Sequence, residues 1–119
     1  MCTVTFIPKK EGGFIFTSNR DEAPKRSATE LATVEIAGKV VKFPRDAHAK
    51  GTWIGMSNKN QLVCILNGAF VKHERKQSYR MSRGIMALDF FSHNGIDDFI
   101  KNFVFKLSLI HISEPTRPY

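Results

Sequence analysis

The chain has 119 residues, of which 42% are hydrophobic and 24% charged, which is typical of one small soluble domain with a hydrophobic core. No apolar run approaches the ~20 residues that span a bilayer, and neither end carries a signal-peptide or lipidation motif. We therefore expect a cytoplasmic protein without an integral membrane segment, and its two cysteines exclude a disulfide framework.

The net charge is +7, and the positive excess gathers between Lys72 and Arg83. No aromatic residues alternate with these basic side chains, and no helix-turn-helix, zinc-finger or RNA-recognition signature is present, so we expect no nucleic-acid partner. The segment is either a solvated loop and helix start or a rim that attracts anions beside a pocket.

The first predicted elements form an antiparallel hairpin. Residues 3–7 alternate around β-branched side chains, residues 14–18 form a second strand, and two glycines lie in the turn between them. The motif Asn19-Arg20-Asp21-Glu22 follows directly, and Pro24 excludes a continuing central strand. The motif therefore lies at a strand end or in the loop after it, where chemistry is common.

The middle of the chain predicts a second hairpin. Residues 23–52 are polar and loop-rich, with one short strand near Val40–Phe43. Residues 52–56 and 62–66 are then predicted strands, joined by a turn at 58–60. Cys64 lies in the second of these apolar runs, so we expect it to be a small buried hydrophobic residue.

Two helices follow the strands. From Ser78, apolar residues recur at three- and four-residue spacing, which predicts a helix. These residues are Met81, Ile85, Leu88 and Phe91. A second helix begins at Gly95 and extends to about Phe105, with acidic residues in its first turn. Strands followed by helices predict an α+β fold rather than a βαβ alternation.

Residues 107–119 differ from the rest of the chain. They have no clear hydrophobic period, contain two prolines and resemble a translated sequencing-adapter peptide. We interpret them as a foreign or unstructured tail, and we expect residues 1–106 to be the amino-terminal part of a domain whose remainder is missing.

Cys2 is the first candidate for chemistry. Methionine aminopeptidase removes Met1 when a small residue follows, which would leave Cys2 with a thiol and an α-amine. An α-amine has a pKa near ~7.7–8.0 and can serve as the base for its own side chain. Position alone is a weak signal, because free cysteines are commonly just buried.

The predicted hairpin brings Arg20 and Asp21 back beside Cys2. A carboxylate there would orient the amine or hold it protonated, and a guanidinium would favour the thiolate. The alternative is an ordinary charged cluster that closes a strand.

Asn67 is a further candidate, because an amide at a strand end can donate a hydrogen bond to an oxyanion. The alternative, a turn-forming Asn67-Gly68 pair, is favoured by turn statistics. The four histidines have no diagnostic spacing, and we predict neither a metal site nor a cofactor. They are His48, His73, His93 and His111.

Four motifs occur between residues 1 and 106. They are Met1-Cys2-Thr3-Val4, Asn19-Arg20-Asp21-Glu22, Gly51-Thr52-Trp53-Ile54-Gly55 and Leu66-Asn67-Gly68-Ala69-Phe70. Together they resemble the NRDE family, also called the transport and Golgi organisation family. That family is similar to the N-terminal-nucleophile hydrolases of the choloylglycine hydrolase and penicillin V acylase type. The resemblance therefore implies part of an αββα sandwich in which antiparallel hairpins precede helices.

Carried over, the resemblance implies that Cys2 attacks an amide carbonyl, that Asp21 contacts its amine and that Asn67 helps to form the oxyanion hole. The acylases have an arginine three residues before that aspartate, where this chain has Ser18; here the arginine is Arg20. We also assign Asn19 and Trp53, which lie within the motifs, to substrate binding.

Two hypotheses follow. The first is a cysteine amidohydrolase that cleaves an amide or thioester bond in a small-molecule substrate. The second is a non-catalytic protein of the same fold that handles a lipid-like or haem-like ligand. Because strands for only one sheet are evident, we also expect the chain alone to expose an apolar sheet face.

Overall fold

The computed structural model describes residues 2–28, 30–66 and 82–103. Within these ranges the fold is mixed α+β, with antiparallel hairpins followed by two helices, which confirms the predicted class. The strands are β1 (Thr3–Pro8), β2 (Phe14–Asn19), β3 (Leu31–Ile36), β4 (Lys39–Pro44), β5 (Ile54–Ser57) and β6 (Leu62–Cys64). The helices are α1 (Arg83–Phe90) and α2 (Ile96–Asn102).

Strands β1 and β2 form the predicted amino-terminal hairpin. Their register runs from Thr3 opposite Asn19 to Pro8 opposite Phe14. The turn uses Gly12 and Gly13, whose φ angles of 91° and 78° suit glycine. The half of the hairpin nearest the turn is apolar on both faces and half-exposed. Its large exposed side chains are Phe6, Ile7, Phe14 and Ile15.

The other four strands form a second sheet in the order β3-β4-β5-β6. We expected the chain to contain strands for one sheet only, and this expectation is wrong. The prediction that residues 23–52 are loop-rich, with one strand near Val40–Phe43, is also wrong where β3 lies. Ala32, Val34 and Ile36 alternate with outward-facing residues and pack against the core, and this alternation forms the strand. Ala37 and Gly38 join β3 to β4 with φ angles of 50° and 78°.

Helix α1 covers one face of this sheet. Ser82 caps it, because its Oγ accepts a hydrogen bond of 3.3 Å from the Ile85 N–H. The predicted start at Ser78 lies outside the described residues. The helix buries Met86, Ala87 and Phe90, and the core beneath it holds other fully buried side chains. These are Val41, Phe43 and Phe91.

Helix α2 ends earlier than predicted, because Phe103 has an extended backbone with ψ of 134°. A short 3₁₀ helix, Pro24–Arg26, follows the Asn-Arg-Asp-Glu motif. No helix in the described ranges is long and apolar enough to cross a membrane.

The hairpin meets the second sheet on the face opposite the helices. Val63 and Ile65 pack against the core, so the intervening Cys64 points the other way. There its Sγ lies 3.6 Å from the Oγ of Ser18. We predicted that Cys64 is a small buried hydrophobic residue. The structure instead leaves it half-buried, beside the Ser18 hydroxyl.

Candidate active site

An open cavity of about 260 Å³ lies where the open end of the hairpin approaches the loops before β5 and α1. Five of the residues predicted from sequence line it. They are Cys2, Asn19, Arg20, Asp21 and Trp53. The sixth, Asn67, lies outside the described residues. The structure therefore brings together every described member of the predicted site.

The hairpin register explains how Cys2 and Arg20 reach the same cavity. Thr3 pairs with Asn19, so continuing the ladder by one residue sets Cys2 opposite Arg20. Because side chains alternate along strands, both lie on the same face of the hairpin as the opposed pair Val4 and Ser18. All four residues are half-buried, so this face of the hairpin packs toward the rest of the protein.

Arg20 is held in place by contacts at several of its atoms. Its guanidinium carbon lies 4.3 Å from the centre of the Trp53 ring, in a cation–π arrangement. Its Nη1 donates a hydrogen bond of 3.0 Å to the carbonyl of Arg26. Its Nη2 donates to the Oδ2 of Asp46. The orientation of the guanidinium is therefore determined by the loops around it.

Asp46, which the sequence reasoning did not select, is the most deeply buried charged residue of the cavity wall, with 3% of its surface exposed. Its Oδ1 accepts hydrogen bonds of 2.9 Å from the backbone N–H groups of both His48 and Ala49. Its Oδ2 accepts from Arg20 and, at 3.0 Å, from Arg26. The only sequence signal was an aspartate just after a strand, where such turns are common.

These contacts determine the protonation state of Asp46. Burial opposes ionisation and raises the pKa of Asp46, but the N–H groups of Ala49 and His48, the hydrogen bond from Arg20 and the charge of Arg26 outweigh it. The net result is a pKa of Asp46 well below the usual range of an aspartate. The carboxylate is therefore ionised at neutral pH and throughout mildly acidic conditions.

Glu22 and Arg26 complete a charge-balanced network. Arg26 Nη1 donates to Glu22 Oε2 at 2.9 Å, and Arg20 Nη2 lies 3.7 Å from the same oxygen. Two guanidiniums thus alternate with the two carboxylates of Glu22 and Asp46. Glu22 belongs to the recognised motif, whereas Arg26 reaches the network through the 3₁₀ helix that Pro24 starts.

The opposite wall comes from the loop before β5 and the start of α1. The Thr52 N–H donates a hydrogen bond of 3.2 Å to the Gly84 carbonyl, which joins the two segments. Gly51 is essential to this approach, because a Cβ added there would lie 2.4 Å from the Gly84 carbonyl carbon. The close contact sets Trp53 at the cavity edge, beside Arg20.

Among the described residues, no group of three or more histidine, cysteine, aspartate or glutamate side chains could hold a metal ion. His48 takes part in the site only through its backbone N–H. His93 lies away from the cavity lining, with its Nε2 3.2 Å from Asp89 and its Nδ1 3.5 Å from Asp98. His73 and His111 are outside the described part of the chain. The prediction of a site without metal or cofactor stays a prediction.

The fold and this cavity define an α+β protein with a cysteine at the end of its first hairpin, facing a network of arginines and carboxylates. A family model, Transport and Golgi organisation 2, matches residues 1–111. The chain therefore belongs to the Transport and Golgi organisation 2 family, which confirms the family resemblance found in the sequence. No curated protein and no solved structure matches the chain.

Proposed function

We propose that this protein is a cysteine amidohydrolase whose nucleophile is Cys2, exposed as the first residue after removal of Met1. The observation that carries the proposal is the shared cavity, in which Cys2 lies with Arg20 and Asp21 from the next strand end. Residues that are eighteen or more positions apart in sequence meet there through the hairpin register. The αββα sandwich implied by the resemblance belongs to the same proposal.

The reaction runs in two steps. The α-amine of Cys2 takes the thiol proton as sulfur attacks the carbonyl carbon of an amide or thioester. The C–N or C–S bond then breaks, and the leaving amine or thiol departs with that proton. The thioester that remains on Cys2 is hydrolysed by water, whose proton returns to the sulfur as the carboxylic acid leaves.

The other residues have supporting parts in this proposal. Asp21 orients the α-amine, and Arg20, which lies opposite Cys2 in the hairpin register, carries its positive charge to the wall of the same cavity. Asn67 donates a hydrogen bond to the oxyanion of the tetrahedral intermediate. Asn19 and Trp53, on the cavity wall, contact the substrate.

The character of the cavity favours this proposal over a non-catalytic carrier of lipid-like or haem-like ligands. Such ligands need a large, mainly apolar pocket. As bounded by the described residues, the cavity beside Cys2 is about 260 Å³, and six of these lining residues are charged. They are Arg20, Asp21, Glu22, Arg26, Asp46 and Arg83. A small polar substrate suits this lining better than an acyl chain or a porphyrin.

The test uses the full chain with Cys64→Ser, so that Cys2 is the sole thiol. Intact mass first shows whether Met1 is removed. Iodoacetamide then reports thiol reactivity, and a panel of small acyl amides and thioesters is screened for a covalent acyl adduct. We expect rapid alkylation and an adduct on the peptide of residues 2–9.

The matched control is Cys2→Ala with Cys64 restored, which leaves a thiol only at the second sheet. Acylation of that variant would show that an acyl adduct can form without the Cys2 thiol. Retention of Met1, or alkylation of Cys2 no faster than that of Cys64, would overturn the proposal. Haem or acyl-coenzyme A binding that survives Cys2→Ala would favour the carrier hypothesis instead.

A further inference from the structure

We infer that Asp46 is a positioning residue of this site: it fixes the Arg20 guanidinium against Trp53 and thereby sets the reactivity of the Cys2 thiol. The inference deepens the proposed function and rests on Cys2 being its nucleophile. It adds a residue that belongs to none of the four sequence motifs. Asp46 acts through Arg20 and touches no reacting atom.

The first step is that hydrogen bonds hold both oxygens of the Asp46 carboxylate. Its Oδ1 is held by the backbone N–H groups of His48 and Ala49, both at 2.9 Å. The Asp46 carbonyl also accepts the Lys50 N–H at 3.1 Å, and its own N–H donates to the Gly51 carbonyl at 2.9 Å. The loop therefore presents Oδ2 in one direction, toward the arginines.

The second step is that this oxygen leaves Arg20 little freedom. Nη2 of Arg20 donates a hydrogen bond to Asp46, and Nη1 donates one of 3.0 Å to the carbonyl of Arg26. The face of the guanidinium lies on the Trp53 ring. Only 17% of the Arg20 side chain is exposed, compared with 37% for Arg26. An arginine held at this many points is a preorganised charge, whereas a solvated one would need to be ordered during the reaction.

The third step connects this charge to Cys2. The hairpin register sets Cys2 opposite Arg20 and on the same face, and both residues line the cavity, so a displaced guanidinium changes the surroundings of the thiol. Arg20 and Arg26 lie against the Asp46 carboxylate, Glu22 lies against both of these arginines, and Asp21 lines the same cavity. Arg83 also lines the cavity, from the first turn of α1.

Two variants separate positioning from a purely structural role. Asp46→Asn is nearly isosteric and keeps an oxygen for the loop N–H groups, but it turns an N–H donor toward the guanidiniums and so releases Arg20. Arg20→Lys keeps the charge but loses the planar fork and much of the stacking on Trp53. Both are made with Cys64→Ser, in the full chain.

The readouts do not require a substrate. Trp53 is the only tryptophan in the chain, so tryptophan emission reports the surroundings of this one ring, which include the Arg20 guanidinium. The rate of Cys2 alkylation, measured at neutral pH, reports the reactivity of the thiol. We expect both variants to change Trp53 emission in the same direction and to change the rate of Cys2 alkylation at neutral pH by about 3–10-fold. The double variant Asp46→Asn/Arg20→Lys should differ no more from the parent than either single variant does, in emission and in alkylation rate.

Asp98→Asn is the matched control. Asp98 also accepts a backbone N–H, from Asn94 at 2.9 Å, but it lies in α2 and not on the cavity wall. It should leave both readouts unchanged. Asp46→Glu keeps the charge with a longer reach, so it should restore part of each change. Asp46→Ser, whose hydroxyl can accept a loop N–H, serves as the test variant if Asp46→Asn does not fold.

The inference is overturned if a folded Asp46→Asn protein, or Asp46→Ser in its place, keeps the parental emission and alkylation rate. This result is distinct from failure of the proposed function. If no acyl adduct forms but both readouts move, the positioning role stands and the amidohydrolase proposal falls. If the adduct forms and neither readout moves, the opposite conclusion holds.

Discussion

The guanidinium of Arg20 lies over the indole of Trp53, 4.3 Å from the ring centre, and so joins the end of the first hairpin to the loop that leads into β5. Arg20 follows β2 directly, and Trp53 directly precedes β5, which begins at Ile54. Two of the four recognised sequence motifs therefore meet in one contact. The wall of the Cys2 cavity depends on this contact, because both residues line it.

The first prediction concerns the strength of this contact. A cation–π pair that is partly shielded from water contributes about 0.5–2 kcal/mol. We expect Trp53→Leu and Arg20→Met, measured singly and together by urea unfolding with circular dichroism, to give a coupling free energy in that range. Trp53→Phe should keep part of it. Strict additivity of the two single changes would show that the stack does not stabilise the fold.

The second prediction concerns acid stability. The folded-state pKa of Asp46 lies below its unfolded value of ~3.9, so its ionised form stabilises the fold above that pH. The contribution is lost as the pH falls through the lower, folded-state pKa. We expect the free energy of unfolding to decrease below about pH 4 in the parent and to decrease less steeply in Asp46→Asn. Urea unfolding between pH 2 and pH 7 measures both slopes.

Equal slopes for the two proteins would show that Asp46 is not the group responsible. Asp98 provides the comparison, because the Asn94 N–H and its other hydrogen-bond partners also lower the pKa of Asp98, against a desolvation effect. Asp98 is a surface group, so Asp98→Asn should alter the acid slope less than Asp46→Asn does.

The third prediction concerns Gly51. An alanine Cβ at this position would lie 2.4 Å from the backbone of Gly84, so the loop or α1 must move. Overpacking of this kind costs about 1–3 kcal/mol. We expect Gly51→Ala to lower the free energy of unfolding by that amount and to shift Trp53 emission, since the neighbouring loop carries Trp53.

Gly55→Ala is the control for this change. Its Cβ would meet a side-chain carbon of Phe91 at 3.1 Å, and a ring can shift more readily than backbone. It should therefore cost less and leave Trp53 emission unchanged. A Gly51→Ala protein with parental stability and emission would contradict the close packing of the two loops.

The fourth prediction concerns the apolar hairpin surface. Phe6 and Ile15 are 59% and 52% exposed, so replacing both by threonine removes little buried area. We expect the double variant to bind less of a hydrophobic dye and to self-associate less, with nearly unchanged unfolding free energy. Phe43→Ala is the contrast, because its side chain is 1% exposed and such changes cost about 3–5 kcal/mol. Dye binding equal to that of the parent would mean that the hairpin is not the exposed apolar surface.

The part of the site that could be predicted from sequence is the part made by local pairing. The alternation in β1 and the glycine turn determine the hairpin register, and the register alone brings Arg20 opposite Cys2. Trp53 was identified through its motif. No similar pattern indicates Asp46. Its contact with Arg20 joins residues 26 positions apart, one in the loop after β2 and the other in the loop after β4, which belong to different sheets.

Strand β3 shows a second limit of sequence reasoning. Its inward residues are short or β-branched, and its outward positions include Thr33 and Glu35, so the segment looks polar. Its turn places Ala37 at a φ of 50°, a position where asparagine or glycine would have signalled a hairpin. The strand forms because pairing with β4 and burial beneath the helices outweigh weak local preference.

The central claim is that Cys2 is a nucleophile at the amino terminus of the mature chain. Time-resolved intact mass of the Cys64→Ser protein, mixed with a small acyl thioester, tests it most directly. We predict a chain that lacks Met1 and gains one acyl group, which maps to Cys2 and is then lost by hydrolysis. A chain that retains Met1, or one that never gains an acyl group at Cys2 across the substrate panel, would contradict the claim.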